Sequence, residues 1–297
     1  MLLRVIAIVG PTASGKSALA LRLAKKLDGE IVSADSRQVY RGLDIGSGKV
    51  TRQERRTIPH HLLDVADPKR VYSVAQFVQD GKRAIRAVHK CKKIPIVVGG
   101  TGFWLDALLR GQSLPRVAPN ATLRKRLATL STKQLFARLQ RLDPERAKTI
   151  DRHNPVRLIR ALEIVLATKK PVPQRTEKLA YDVLWLGLRP NQKKLYIAIR
   201  KRLLQRMRQG MVAEVRTLLK NGVPAKRLIE LGLEYRFVTL YLQGALTKAA
   251  MLEQLEHAIQ QYAKRQMTWF RRHKDIHWGD SYQSIWAAIK QQKRSGG

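Results

Sequence analysis

Eight residues near the start of the chain carry a chemistry of their own: Gly10-Pro11-Thr12-Ala13-Ser14-Gly15-Lys16-Ser17. The spacing G-x-x-x-x-G-K-[ST] lets backbone N–H groups and the positive end of a helix converge on a di- or triphosphate. Lys16 would neutralise a terminal phosphate, and the Ser17 hydroxyl would face a Mg2+ ion. A second group is Asp35, within Ser33-Ala34-Asp35-Ser36-Arg37-Gln38. A carboxylate facing a phosphate cradle can take a proton from an incoming nucleophile or hold the metal. The same residue type after a strand also serves as a turn or helix cap. The third group is Gly99-Gly100-Thr101-Gly102, which follows the apolar run Ile94-Pro95-Ile96-Val97-Val98. A nucleotide-hydrolysing phosphate-loop protein normally ends such a strand in a metal-holding Asp; here no carboxylate follows, and Asp35 is the acid left to the crevice.

Position for these groups must come from strand ends. The apolar segment 3–9 precedes the loop and an amphipathic helix, 16–27, follows it. A short strand at 30–33 leads to Asp35, a helix is predicted at 73–90, and the continuous apolar run 94–98 reads as a strand buried on both faces. This alternation predicts an α/β fold, an open parallel sheet of the P-loop NTPase-like kind flanked by helices, with ligands beyond the carboxyl ends of its strands. From about residue 112 the strand pattern stops. Arg-rich helical stretches at 121–130, 132–142 and 154–167, separated by Pro115, Pro119, Pro144, Pro155 and Pro171, read as a helical insertion domain. A strand at 181–188 rejoins the sheet, followed by helices at 192–209, 211–220 and 249–272, a short strand near 276–278 and a last helix. The expected organisation is therefore a core at 1–111, an insertion at 112–180 and the rest of the core at 181–297, with a frayed tail over 293–297.

Charge supplies an independent clue. Lys and Arg total 58 against 22 Asp and Glu, a formal net charge of +36. Residues 1–110 hold 20 basic and 9 acidic side chains, net +11, and residues 111–297 hold 38 and 13, net +25. Such an excess points to a polyanionic partner, although it is spread too widely to mark one patch. The single cysteine, Cys91, can form neither an internal disulfide nor a metal cluster, which fits a reducing cytoplasm. No signal peptide or membrane span is predicted, and no feature demands an obligate protein partner.

Taken in order, the motifs resemble one family, the tRNA dimethylallyltransferases or tRNA isopentenyltransferases. The resemblance runs through GPTASGKS at 10–17, SADSRQVYRGLDIGSGK at 33–49, PHHLLD at 59–64 and VVGGTGFW at 97–104. It continues through NPVRLIRALE at 154–163, GLEYR at 232–236 and YAKRQMTWFR at 262–271. It implies transfer of a dimethylallyl group from dimethylallyl diphosphate to N6 of the adenosine at tRNA position 37, beside the anticodon. The phosphate loop would then grip a leaving diphosphate, which removes the need for the missing strand-end Asp. By the same resemblance Asp35 is the base, Thr101 contacts the reacting nucleotide (or caps the helix after it), and Arg202 joins Lys16 and Mg2+-bound Ser17 in stabilising the leaving group. The flipped adenosine and its neighbours would meet Asp35, Ser36, Arg37 and Gln38. Further tRNA contacts are implied at Arg124, at Val156, Arg157, Leu158, Ile159 and Arg160, and at Tyr235, Arg236, Lys264, Arg265 and Arg271. Three positions depart from the usual pattern: Ala198 where an Arg is common, Ile259 where a Thr is common, and Ser47-Gly48 in place of Thr-Ala. Rival readings are a small-metabolite kinase with ATP in the loop, prenyl transfer to free AMP or ADP, and a non-catalytic RNA-binding protein.

Overall fold

The computed structural model describes residues 2–115, 117–173 and 179–295. Two-residue periodicity in the first strand, β1 (Leu3–Val9), decides the layering. Val5, Ala7 and Val9 point into one apolar cluster while Ile6 and Ile8 point into another, so the strand is covered on both faces. Burying each such branched side chain contributes roughly 1.5–3 kcal/mol, which anchors this strand at the centre.

After β1 come α1 (Lys16–Leu27), β2 (Gly29–Ser33), α2 (Arg52–Thr57), β3 (His60–His61), α3 (Val74–Lys90), β4 (Ile94–Val98) and α4 (Gly102–Leu109). Four helices then follow without a strand: α5 (Ala121–Ala128), α6 (Thr132–Leu142), α7 (Pro144–Thr149) and α8 (Pro155–Thr168). The sheet resumes with β5 (Tyr181–Leu188). Next are α9 (Gln192–Arg208), α10 (Met211–Lys220), α11 (Ala225–Leu231), α12 (Leu233–Leu242) and α13 (Lys248–Phe270). β6 (Ile276–Gly279) and α14 (Tyr282–Ser295) close the series. The expected frayed tail is thus helical to Ser295, and the last two glycines lie outside the described residues.

All six strands run parallel in the order β3-β2-β4-β1-β5-β6. Helices α1 and α14 cover one face; Leu19, Leu23, Ile285 and Ile289 fill that layer. The larger layer takes α3 and α4 together with α9 to α13, including Phe77, Leu105, Leu203, Tyr235 and Phe270. The crossover from β1 leads past the place of β4 to β2, while β5 joins on the other side of β1; ligands of such a sheet lie in the crevice at the carboxyl ends of its central strands. No described helix is long and apolar enough to cross a membrane.

The chain divides into two compact units, Met1–Gly111 with Leu179–Gly297, and Gln112–Lys178. The second has an apolar centre of its own, made by Leu127, Leu135, Leu139, Ile150, Leu158, Ala161 and Leu162. Its helices are delimited by local chemistry. Asn120, Ser131, Asp143 and Asn154 each accept a hydrogen bond from a first-turn N–H. Pro144 and Pro155, which read as separators in the sequence, are first residues of α7 and α8, where a missing N–H costs nothing.

Candidate functional site

The phosphate loop joins β1 to α1, and Gly15 caps the helix with φ 90°. That left-handed conformation is open to glycine and costly for other residues. No side chain caps α1, so its first N–H groups are left for an anion. Lys16 folds back over its own loop, its Nζ donating to the Pro11 carbonyl at 2.6 Å. Burial, reinforced by the nearby Arg202 charge and only partly opposed by Asp35, pushes the Lys16 ammonium down to about 7. Arg202 reaches in from α9 and donates to the Thr12 hydroxyl. Burial and the neighbouring Arg206 charge lower its pKa to about 10. Cations crowded into a half-buried pocket with few counter-charges make a site that favours a polyanion.

Asp35 follows β2 and lines the same cavity as Thr12, Lys16, Ser17 and Arg202. Its Oδ1 accepts from the Arg37 N–H at 2.8 Å and from the Gln38 N–H at 3.3 Å. It is therefore a turn cap and a cavity-lining carboxylate at once, since one oxygen serves the turn. Gln38 spans the floor, its Nε2 donating to the Gly48 carbonyl at 3.2 Å. Arg37 is anchored through Nε to the Leu231 carbonyl at 2.9 Å, with its guanidinium 5.5 Å above the Tyr262 ring. Thr101 precedes α4 but makes no side-chain cap, which corrects the capping alternative. Its hydroxyl instead accepts from the Ser36 N–H at 3.3 Å, with the Tyr262 phenol close enough to feel it. Burial, with Asp35 nearby, raises the Tyr262 pKa and keeps that phenol protonated.

Four residues of this site escaped the sequence reading. Gln266 donates to the Gly100 carbonyl at 2.9 Å and accepts from the Thr12 N–H at 2.8 Å, clamping the phosphate loop to the turn after β4. Tyr262 supports Thr101 and Arg37. Glu234 is a second carboxylate on the cavity wall, so Asp35 is not its sole acid. Arg206 neutralises Glu234 at 2.8 Å. The segments 232–236 and 262–271 signalled their importance, but only packing reveals which side chains face inward.

The remaining predicted contacts fall into three groups. Leu158 and Tyr235 are fully buried, which corrects their assignment as RNA contacts. Leu158 fills the insertion's apolar centre, and the Tyr235 hydroxyl donates to Glu214; Ile159 packs beside that apolar centre. Arg124 and Arg160 are drawn onto the buried Glu163. Burial there opposes the charged carboxylate, yet bonds from Arg124, the Asn120 N–H and Arg160 outweigh it and hold Glu163 at about 2. Val156, Arg157, Arg236, Lys264, Arg265 and Arg271 stay exposed. Lys264 and Arg271 border a second groove with Pro11 and Arg189. Among the three departures from the pattern, Gly48 and Ile259 line the main cavity, and Ala198 lies at the outer mouth of the phosphate loop.

A parallel α/β sheet whose phosphate loop shares one cavity with a strand-end carboxylate is the arrangement of a phosphate-loop transferase. The IPP transferase profile matches residues 38–273. A tRNA dimethylallyltransferase of Thermomicrobium roseum is 41% identical over 288 residues, covering 95% of this chain and 88% of that one. Among solved structures, a tRNA isopentenylpyrophosphate transferase from Staphylococcus epidermidis is 33% identical. It covers 99% of this chain and 100% of its own, with a TM-score of 0.72. A eukaryotic dimethylallyltransferase, solved acting on tRNA, aligns at a TM-score of 0.81 and 27% identity, covering 98% of this chain and 77% of its own. The chain belongs to the IPP transferase family.

Proposed function

We propose that this chain is a tRNA prenyltransferase that moves a dimethylallyl group from dimethylallyl diphosphate to N6 of the adenosine beside the anticodon, at tRNA position 37. One observation carries the assignment of roles: Asp35, Lys16, Ser17 and Arg202 line one cavity. A diphosphate in the loop sets its allylic carbon toward Asp35. The exocyclic amine attacks that carbon, the C1–O bond breaks, and its electron pair leaves on the diphosphate. Asp35 takes the proton released from N6, since an adenine amine is a weak nucleophile until a base accepts its proton. Lys16, Arg202 and the α1 N-terminus stabilise the charge that grows on the departing oxygens.

Thr101 holds Ser36, and through it the Asp35 turn, in register with the loop. Among the described residues no cluster of three or more His, Cys, Asp or Glu could hold a metal alone. Mg2+ fits a different donor set: the exposed Ser17 hydroxyl, diphosphate oxygens and water. Held there, it supplies further positive charge to the leaving group. A base stacked in the anticodon loop cannot reach this crevice, so the adenosine must be flipped out. Exposed Arg157, Arg236, Lys264, Arg265 and Arg271 are the side chains we assign to the surrounding RNA backbone. We assign the cytoplasm as the compartment.

The decisive experiment gives purified chain and Mg2+ labelled dimethylallyl diphosphate with either unmodified tRNA or AMP. Label on tRNA at adenosine 37 is the expected product. Label on AMP alone would replace this reading with prenylation of a free nucleotide.

A further inference from the structure

The wall of the cavity contains a second guanidinium with an unusual entry. Arg202 and Arg206 lie one turn apart on α9 and both face the cavity. Arg206 is buried, and its Nη1 donates to the Glu234 carboxylate at 2.8 Å and to the Gly46 carbonyl at 3.1 Å. Its Nη2 occupies the space beside Gly48 where any other residue would carry a side chain: a Cβ there would lie 1.7 Å from that nitrogen. Gly48 also has φ +63°, a second reason for glycine. The missing side chain at 48 is thus the gap through which Arg206 reaches the cavity.

That gap connects two places. Arg206 lines the inner cavity with Asp35 and Lys16, and also the outer mouth with Ser17, Lys201 and Ala198. Ala198, one turn before Arg202, contributes only a methyl group to that mouth. The Arg206 charge is close enough to lower the Arg202 pKa although Glu234 and Asp35 oppose it. With Lys16 and Arg37 on the same cavity the cations outnumber those two carboxylates, which favours a ligand bearing more than one negative charge. Arg also suits phosphate geometry, since its planar fork can donate twice to one group.

We propose that Arg206, admitted by Gly48, is a second diphosphate-binding guanidinium beside Arg202 and sets the affinity of the site for the diphosphate half of the donor. This rests on the reading of the phosphate loop as a diphosphate site. The test titrates inorganic diphosphate with Mg2+ into the full chain by calorimetry. Wild type binds. Gly48→Ala, which pushes Arg206 aside, weakens binding roughly tenfold or more. Arg206→Met alone strands a buried Glu234 charge, so it is paired with Glu234→Gln; that double variant loses affinity to a similar extent. Adding Ala198→Arg to the double variant restores most of the loss, because position 198 opens on the same mouth. In all variants tRNA affinity stays within about twofold. Unchanged diphosphate affinity in both Gly48→Ala and the double variant would overturn the inference, reduce Arg206 to a structural partner of Glu234, and leave the loop reading intact. A wild-type chain that binds no diphosphate overturns both.

Discussion

At the scale of single residues, Asp35 and Lys16 make different demands on an experiment. Asp35 splits its work between a turn and the cavity, so an isosteric change separates the two. Asp35→Asn retains an oxygen for the Arg37 and Gln38 N–H groups while losing the base. Turnover should fall by ~10²-fold or more with tRNA affinity preserved, as read by single-turnover prenyl transfer beside filter binding. Near-normal turnover removes Asp35 from the base role. Lys16 makes a prediction in pH. Its pKa in the free chain lies at about 7 against an ordinary 10.5, so above pH 7 the resting side chain is increasingly neutral. An incoming diphosphate restores the charged form, and binding must then draw a proton from solution. Between pH 7 and 9, calorimetry in buffers of different ionisation enthalpy should register uptake approaching one proton, and affinity should fall as pH rises. The Lys16→Met chain should show neither; uptake that persists there places the proton elsewhere.

At the scale of elements, the helical unit turns on Glu163. Three donors converge on it from α5, α8 and the segment before α5, fixing those parts around one buried charge. Removing the carboxylate leaves Arg124 and Arg160 without their partner. Glu163→Ala should cost the unit about 3 kcal/mol, seen as faster amide exchange in α5 and α8 with the phosphate loop unaffected. The sign of its pH dependence follows from the depressed pKa. Its stabilisation is complete above the ordinary value of 4.5 and is lost as pH falls toward about 2. Legibility of the fold divides along the same lines. The ends of β4 and α1 were readable because a continuous apolar run and a 3.6-residue stripe are local signals. The two-residue β3 was not, since two histidines carry no pattern, and neither were α11 and α12, which a positive-φ Gly232 separates. In the site, the loop and Asp35 were legible as motifs. Glu234 and Arg206 were not, because a buried pair 28 residues apart leaves no periodic trace. Tyr235, read as an RNA contact, shows the converse: within a motif, recurrence of a residue does not reveal which way it points.

For the whole molecule, a net charge of +36 dominates its encounter with any nucleic acid. Affinity for tRNA should fall on the order of 10²-fold across a fourfold rise in salt; a flat response would mean that few phosphates are neutralised. Catalysis on bound tRNA should be far less sensitive, since the chemical groups sit in a partly closed cavity where screening is weaker. Gln266 has a bearing on how the protein is made. The clamp that ties Thr12 to the turn after β4 comes from 254 residues downstream, so the first motif to leave the ribosome is among the last to be set. A nascent chain, or one cut short before α13 is finished, displays a complete phosphate-binding signature without the clamp that ties it to the turn after β4. Full register of the loop with the turn after β4 is thereby deferred until synthesis is nearly complete, and fragments that end early carry the motif without its last tie.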